Sequence, residues 1–519
     1  MSSQDQEPVA KKVKFNPGHD VHIAPETKFN DGDRSNGKGR SDKEAGTAPD
    51  ERSRSCPYLD TINRNVLDFD FEKLCSVSLS KINVYACLVC GKYFQGRGIG
   101  THAYIHSVAV AHHVFLNLST LMFYCLPDNY EVIDSSLSDI TYVLKPTFSR
   151  HDIRSLDKDG KLARAFDGTA YLPGIVGLNN IKANDYCNVI LHALSHIASV
   201  RDFFLLEENY VTKMREKRAA SDPLFDLVIR FGELIRKLWN PRNFKAHVSP
   251  HEMLQSVVLC SKKKFQITEQ EDPINFLSWI LNSLHAGLSG SRKANSSIIY
   301  RSIRGSMRIF ARKVIPVSKS LDERLQLMLT PEYRESSNDS QFLYLTLDLP
   351  APPLFKDELQ ANIIPQVPLQ SLLSKFNGSV EKEYSAYDHS ELRRFQITQL
   401  PPYLILYIRR FTKNTFFQEK NPTIVNFDVK DVDMSDLLDA ETRSRPGQER
   451  AVYDLIANIV HDGPAKREKE KDQGTYRVHI LHRGSGKWFE MQDLHVTEIL
   501  PQMISLSESY IQIWRRQLV

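Results

Sequence analysis

A pair of cysteines and a pair of histidines constrain what the first third of the chain can fold into. Cys87 and Cys90 are separated by two residues in CLVC, and His106 and His112 follow in THAYIHSVAVAHH. Two thiolates so spaced form a tight turn that grips one tetrahedral ion, and two imidazoles from a facing segment complete its coordination. We therefore expect one structural zinc ion that holds a small domain together. Four further side chains remain alternative ligands: His102, His113, Cys56 and Cys75.

Composition excludes several other classes of protein. A chain of 519 residues with 41% hydrophobic content can bury a large core and is long enough for more than one folded unit. The formal net charge of +4 is too small for a protein that coats nucleic acid along its whole length. We expect neither secretion nor membrane insertion, because no signal core or run of about 20 apolar residues is present. The seven cysteines, an odd number, fit metal ligands and buried thiols in a reducing compartment.

The N-terminal segment has the composition of a disordered tail. Residues 1–55 are rich in charged residues, glycine, serine and proline, and contain almost no aromatic residues. Within them Lys11, Lys12 and Lys14 form a short basic cluster of the kind that nuclear import receptors read. The cluster predicts a nuclear location, and the alternative interpretation is a solvated run of charge.

The rest of the chain divides into three segments. Residues 56–150 are dense in aromatic and apolar residues and form the predicted zinc-binding domain, and residues 151–172 are interpreted as a linker. Residues 173–519 carry helical periodicity first, in PLFDLVIRFGELIRKLW and EDPINFLSWILNSLH, with the cations of the first helix on its outer face. Two later runs, QFLYLTLDLP and PPYLILYIRRF, are predicted strands. This order predicts an α+β fold.

Two sets of phrases resemble known families. YACLVCGKYFQGRG with HAYIHSVAVAHHVFLNL resembles the ubiquitin-protease-type zinc finger, some members of which grip the free C-terminus of ubiquitin. GLNNIKANDYCNVILHAL, QEDPINFLSWILNSLH, LPPYLILYIRRF, YDLIANIVHDG, GTYRVHIL and KWFEMQD occur in one order and together resemble the ubiquitin-specific protease domain. The second resemblance implies a papain-like fold of thumb, palm and fingers over residues 173–519.

The same resemblance implies that the catalytic triad is lost. Active members carry cysteine at the position of Asp185, histidine at that of Thr475 and the third triad residue at that of Gln492, with an oxyanion-hole asparagine at Asn180. The chemistry requires a thiolate and a neighbouring base that titrates near neutral pH. A carboxylate and a hydroxyl cannot replace them, so the chain is expected to be a pseudoenzyme.

A displaced catalytic set is the alternative that the residues leave open. Cys187 lies two residues after Asp185, about 200° around the helix, where a core thiol is expected. His461, His479 and His482 supply imidazoles, but none at the matching position. Asn184 or Asp185 is expected to cap the helix and stabilise it by about 1 kcal/mol.

A basic stretch follows the helical region. YRSIRGSMRIFARKV interleaves cations with apolar residues, which predicts a surface that faces phosphates or an acidic protein, and a solvated strand face is the alternative. The cations concerned are Arg301, Arg304, Arg308, Arg312 and Lys313.

Two longer phrases are similar to a narrower family. SCPYLDTINRNVLDFDFEKLCSVSLSKINVYACLVCGKYFQGRG and FYCLPDNYEVIDSSLSDITYVLKPTF resemble the ubiquitin-protease-like proteins associated with the U4/U6.U5 tri-snRNP. This resemblance implies a nuclear, noncatalytic splicing scaffold that contacts tri-snRNP proteins and meets small nuclear RNA mostly indirectly. Two alternatives remain: a reader that binds ubiquitin weakly, and an active deubiquitinase with an unconventional nucleophile.

Overall fold

A computed structural model of the chain describes residues 56–517, except for 220, 289, 292, 294, 316–319, 352–363, 386–389, 414–417, 445–449 and 464–473. The predicted tail and its basic cluster, Lys11, Lys12 and Lys14, lie outside the described residues. Among the helices described, none combines the length and the apolar character needed to cross a membrane.

A five-stranded antiparallel sheet organises the described part of the small domain. Together with the helices beside it, this sheet agrees with the small α/β zinc-binding domain expected before the larger domain. Its strands are β1 (Val84–Cys87), β2 (Tyr93–Gln95), β3 (Val114–Asn117), β4 (Phe123–Cys125) and β5 (Tyr130–Val132), in the order β2-β1-β3-β4-β5. Helix α1 (His102–Val110) connects β2 to β3, and α2 (Ser138–Leu144) follows β5. The inner residues of β1 and β3 are fully buried, so the sheet forms the core of the domain.

The segment interpreted as a linker is a packed connection. It contains α3 (Arg150–Ser155) and a short hairpin of β6 (Ala163–Arg164) and β7 (Ala170–Tyr171). Ser149 and Asp152 form a capping box at the start of α3. Ile153 and Tyr171 are buried in the core of the larger domain, which fixes the path of the connection.

Helices make up the first part of the larger domain and correspond to the thumb. They are α4 (Asp185–Ser195), α5 (Ala198–Leu205), α6 (Val211–Arg215), α7 (Pro223–Leu238), α8 (His251–Cys260), α9 (Pro273–Gly287) and α10 (Ile298–Ile303). The short strands β8 (Gly177–Leu178) and β9 (His247–Val248) pair in parallel beside them. Both predicted helices are confirmed as α7 and α9, and the side chains of Asp222 and Asp272 cap them.

One expectation about α7 is wrong. Its cations do not all lie on a solvated outer face, because Arg236 and Lys237 are 2% and 9% exposed. Arg236 donates to the carbonyl oxygen of Phe204, and Lys237 contacts the small domain. Helical periodicity separates apolar from polar residues, but it does not reveal which polar face a second domain covers.

A four-stranded antiparallel sheet corresponds to the fingers. Its strands are β10 (Gly305–Lys313), β11 (Ser336–Phe342), β14 (Lys382–Ser385) and β15 (Ser390–Gln399), in the order β11-β10-β15-β14. Helix α11 (Leu321–Leu329) lies between β10 and β11 in the chain. The elements between β11 and β14 are β12 (Leu345–Asp348), β13 (Gln366–Pro368) and α12 (Leu369–Leu373).

Most of the remaining strands join β12 in a larger mixed sheet that corresponds to the palm. They are β16 (Tyr403–Arg409), β20 (Val432–Asp433), β21 (Val452–Asp462), β22 (Thr475–His482), β23 (Lys487–Gln492), β24 (His495–Ile499) and β25 (Ser509–Arg516). Outside this sheet, β17 (Phe411–Lys413) pairs with β18 (Gln418–Lys420), and β19 (Ile424–Asn426) pairs with β13. The short helices α13 (Ala440–Arg443) and α14 (Pro501–Ser505) lie among them. Within the described residues the sheet has eight strands, ordered β12-β16-β25-β21-β22-β23-β24 with β20 beside β21.

This arrangement confirms the predicted α+β fold and both predicted strands, which are β12 and β16. Helix α4 packs against β22, and β22 pairs with β23. The start of α4, the start of β22 and the end of β23 therefore meet at the junction of thumb and palm.

Candidate functional site

The side chains of the predicted zinc site converge. Cys87 ends β1, Cys90 follows in the turn toward β2, His106 lies within α1, and His112 follows that helix. Their ligand atoms all lie within 4.8 Å of one another. Sγ of Cys87 is 3.5 Å from Nδ1 of His112, and Sγ of Cys90 is 3.5 Å from Nε2 of His106. Two sulfur and two nitrogen atoms so placed fit a tetrahedral zinc shell with bonds of about 2.0–2.3 Å.

Local backbone geometry explains this convergence. Gly91 has a φ of 74° and its N–H donates to the carbonyl oxygen of Cys87, which closes the turn that holds both thiols. Ala111, with a φ of 56°, ends α1 and redirects the chain at His112. Burial raises the pKa of the Cys87 thiol to about 12, so a bound cation is needed to draw off its proton at neutral pH.

The four alternative ligands do not join this cluster within the described residues. Nδ1 of His113 lies 2.7 Å from the carbonyl oxygen of Leu126, and Sγ of Cys75 accepts the backbone N–H groups of Val77 and Ser78. Cys56 is buried in the core of the small domain, and His102 begins α1.

Asp185 is the first residue of α4 and is 3% exposed. Its Oδ2 accepts a hydrogen bond from Nε2 of Gln270 at 2.7 Å and one from the backbone N–H of Tyr476 at 3.0 Å. Its Oδ1 is buried without a hydrogen-bond partner among the described residues. Burial raises the pKa of this carboxyl group. Asp185 therefore fastens the start of α4 to the start of β22.

The expectation that Asn184 or Asp185 caps α4 is wrong. Neither side chain accepts a hydrogen bond that would cap the helix. The Asn184 amide instead accepts the N–H of Ile181 at 2.7 Å and donates to Oδ1 of Asn188 at 3.1 Å, which closes the preceding loop. The Asp185 carboxylate accepts hydrogen bonds from Gln270 and Tyr476, which are distant in the sequence and lie outside α4.

The two other positions that the family resemblance assigns to the triad are also in contact. Thr475 begins β22 and Gln492 ends β23, and Nε2 of Gln492 donates to Oγ1 of Thr475 at 3.0 Å. Gln270 also donates to the carbonyl oxygen of Gly474, directly before Thr475. The structure thus brings the three positions together as a carboxylate, a hydroxyl and an amide, and neither the hydroxyl nor the amide can act as a general base near neutral pH.

Asp493 closes the loop that carries Asn180, the residue that the family resemblance assigns to the oxyanion hole. Nδ2 of Asn180 donates to Oδ2 of Asp493 at 3.0 Å, and Nδ2 of Asn188 donates to Oδ1 at 2.9 Å. The carbonyl oxygen of Asp493 accepts the N–H of Leu178. Sequence reasoning missed this contact, because no local pattern relates Asp493 to a loop that lies 313 residues earlier.

The groups considered for a displaced catalytic set have structural roles. Cys187 is 1% exposed, and burial raises the pKa of its thiol, so it is protonated at neutral pH. His461 packs edge-on against Phe411 and Tyr476. His479 contacts Glu490 at 3.0 Å and His482 contacts Ser485 at 2.9 Å.

The predicted basic surface divides into separate environments. Arg308 and Arg312 lie on β10, a strand between two others, and form ion pairs with Asp339 and Glu381. Lys313 ends β10. The guanidinium of Arg304 lies 4.7 Å from the ring centre of Tyr300. Arg301 lies on α10, is exposed, and forms no ion pair within the part of the chain that the structure describes.

Charged residues that sequence reasoning missed join the small domain to α7. Nζ of Lys237 lies 2.9 Å from Oδ1 of Asp70 and 3.2 Å from the carbonyl oxygen of Phe69. Glu252 lies 3.8 Å from the same ammonium group, and Lys245 contacts Asp68 at 2.6 Å. The only signal in the sequence is the acidic alternation in LDFDFEK, which does not identify a partner.

Replacing Asp185 with alanine is expected to lower the free energy of unfolding by about 2–4 kcal/mol, because two buried donors, from Gln270 and Tyr476, lose their acceptor. The matched control is Asp185→Asn, which keeps an acceptor oxygen and should cost less. Denaturant unfolding of the parent and both variants measures the difference. Equal losses in the two variants would contradict this role of the carboxylate.

The raised pKa of Asp185 also fixes the direction of a pH effect. The folded state binds this proton more tightly than the unfolded state, so the contribution of Asp185 to stability is full below the unfolded pKa and is lost as the pH rises through the raised folded pKa. Because Asp185→Asn does not titrate, the stability of the parent relative to this variant should increase as the pH falls from about 7 to about 4. A stability difference that does not vary with pH would contradict the burial of a titrating group.

Comparisons with known proteins extend these observations. The family model described as ubiquitin carboxyl-terminal hydrolase matches residues 176–514, and the model described as a zinc finger in ubiquitin hydrolases and other proteins matches residues 75–137. The chain is 62% identical to ubiquitin carboxyl-terminal hydrolase 39 of Homo sapiens over 479 residues, which cover 92% of this chain and 82% of the relative.

Two relatives from yeasts carry different names. The chain is 45% identical to the probable mRNA-splicing protein ubp10 of Schizosaccharomyces pombe, with 88% of each chain covered. It is 30% identical to the pre-mRNA-splicing factor SAD1 of Saccharomyces cerevisiae, with 89% of this chain and 93% of the relative covered. A crystal structure described as that of an essential yeast splicing factor superposes with a TM-score of 0.67 at 29% identity, covering 89% of this chain and 99% of that one.

Proposed function

The chain belongs to the ubiquitin carboxyl-terminal hydrolase family, and on this premise we propose that it is a noncatalytic pre-mRNA splicing factor. One observation carries the noncatalytic part of the proposal. The positions that the family resemblance assigns to the triad meet in space and hold Asp185, Thr475 and Gln492, which are hydrogen-bonded to one another or to neighbouring residues.

Chemistry at this centre requires groups that it lacks. Attack on an amide by the Asp185 carboxylate would form an anhydride that is more reactive than the amide itself. Its two hydrogen bonds stabilise the charge on Oδ2 and make it a weaker nucleophile still. Thr475 cannot draw off a proton near neutral pH, so a thiol introduced beside it would remain protonated.

The splicing part of the proposal is supported by relatives. Two yeast proteins with extensive coverage are named as splicing proteins, and the superposed crystal structure is described as that of a splicing factor. We place the protein in the nucleus, bound to proteins of the U4/U6.U5 tri-snRNP, where it supports assembly or stability of the particle before activation. Contact with small nuclear RNA is mostly indirect in this proposal, in keeping with a net charge of only +4.

A structural zinc ion belongs to the same proposal. Cys87, Cys90, His106 and His112 would hold it, and the ion would supply folding energy and no reaction chemistry, since all four coordination positions are filled by protein atoms. The small domain then presents a stable surface next to the thumb.

The variant Asp185→Cys is expected to remain inactive toward a fluorogenic amide at the C-terminus of ubiquitin, because Thr475 and Gln492 leave the thiol unactivated. The rate should equal that of the parent and that of Cys187→Ala, which serves as the control for the neighbouring thiol. Turnover that appears only in Asp185→Cys would contradict the assignment of the triad positions.

Add-back to nuclear extract tests the splicing role itself. Extract depleted of this protein should lose splicing of a reporter pre-mRNA, and the purified parent protein and Cys187→Ala should restore it equally. Unchanged splicing after complete depletion would contradict the proposed function.

A further inference from the structure

A pocket of about 260 Å³ lies between the α6 segment and the chain that enters α10. Tyr210 and Met214 line it and are almost fully buried, with Leu288 and Ile298 beside them, so part of its lining is apolar. The pocket shares no residue with the site around Asp185 or with the cysteine and histidine cluster. Neither of those sites explains it.

Of the residues that the structure describes, three cations line this pocket: Lys213, Lys217 and Arg301. All three side chains belong to exposed residues, and none forms an ion pair within the residues described. By contrast, the adjacent Arg218 forms an ion pair with Asp222. Most other arginines near α10 and β10 likewise have partners.

The cations come from two separate elements. Lys213 lies on α6, and the N–H of Lys217 donates to the carbonyl oxygen of Met214, so the helical turn continues and places the two lysines four residues apart on one side. Arg301 reaches the pocket from α10. Like charges at this spacing repel each other and lower the stability of the helix. An anion bound in the pocket would offset this repulsion.

We propose that this pocket binds a phosphorylated serine or threonine side chain of a partner protein. A phosphate monoester carries up to two negative charges and three acceptor oxygens, which three converging cations match. The planar guanidinium of Arg301 can bind two of these oxygens at once, and the apolar lining can take a neighbouring peptide side chain.

The local charge pattern favours a phosphopeptide over a nucleic-acid backbone. A polynucleotide needs positive charge that continues along the surface, because each successive phosphate adds a contact. Here Glu216 lies on the same turn as the two lysines, and the charge of Arg218 is already balanced by Asp222. Among the described residues, the cations that share this cavity are Lys213, Lys217 and Arg301, which match one phosphate group and not a chain of phosphates.

The test uses the full-length protein and three labelled probes. These are short peptides with a central phosphoserine and degenerate flanks, the same peptides with serine, and a single-stranded oligouridine. The phosphopeptides should bind, and Arg301→Ala and Lys213→Ala/Lys217→Ala should each weaken binding by about tenfold or more, the effect expected from losing a charge-assisted hydrogen bond. Arg215→Ala removes the same charge from an exposed α6 residue that does not line the pocket, and should bind like the parent.

Several results would overturn the proposal. They are absence of phosphopeptide binding, equal binding of the serine peptides, and equal weakening by Arg215→Ala. If oligouridine bound more tightly than the phosphopeptides and Arg301→Ala abolished this binding, the pocket would be a phosphodiester site instead. None of these outcomes bears on the splicing role, which rests on the comparison with relatives.

Discussion

Cys87→Ser is expected to release the zinc ion and unfold the small domain. Zinc binding contributes on the order of 10 kcal/mol to the folding of small zinc domains, far more than a single packing contact. The β1 to β3 pairing begins at the turn that Cys87 anchors, so the five-stranded sheet should be lost with the ion. The larger domain, whose helices and eight-stranded sheet have a separate core, should stay folded.

Metal analysis and thermal unfolding measure this effect. The parent should contain one equivalent of zinc and Cys87→Ser almost none, with an additional unfolding transition at low temperature. Cys260→Ser is the matched control, because this half-buried thiol lies on α8 outside the cluster. One equivalent of zinc in Cys87→Ser would show that the ligand set is different.

Lys237→Met is expected to lower the free energy of unfolding by about 3–5 kcal/mol, because it leaves Asp70 at the domain contact without its buried cation, whereas Glu252 keeps Arg230 as a partner. The methionine keeps most of the apolar stem of the lysine, so the loss reports the charge. Lys245→Met is the matched control. Its partner Asp68 and the lysine itself are both partly exposed, so this change should cost about 1 kcal/mol or less.

Denaturant unfolding of both variants measures the two losses. Limited proteolysis should also cut Lys237→Met more rapidly between the two domains, because the contact at Asp70 holds the small domain on α7. Losses of equal size in Lys237→Met and Lys245→Met would contradict a structural role for the buried ammonium group.

Sequence reasoning worked best where the information is local. Cys87 and Cys90 lie at one turn, and His106 and His112 lie on one helix and just after its end, so their spacing is local, and the structure brings these four side chains together. Amphipathic periodicity likewise located α7 and α9. The α+β class followed from the order of these elements.

The errors concern long-range contacts. Asp185 looked like a helix cap because its donors, Gln270 and Tyr476, are 85 and 291 residues away in the sequence. Lys237 looked like part of a solvated face because its partner lies in another domain. Neither relation leaves a periodic pattern in one sequence.

The five clustered cations illustrate a further limit. The spacing groups Arg301 with Arg308, but a helix holds the first and a strand the second. Arg308 is neutralised by a neighbouring strand, whereas Arg301 joins two lysines from an element about 85 residues earlier to line one pocket. Only the fold distinguishes the two environments.

Tagged purification of the protein from nuclear extract at moderate salt, with sequencing of the RNA that accompanies it, tests the central claim most directly. A noncatalytic factor of the tri-snRNP should enrich U4, U5 and U6 RNA together, and Asp185→Asn should enrich them equally. Absence of these RNAs, with ubiquitin conjugates recovered in their place, would contradict the splicing role and identify the protein as a ubiquitin reader.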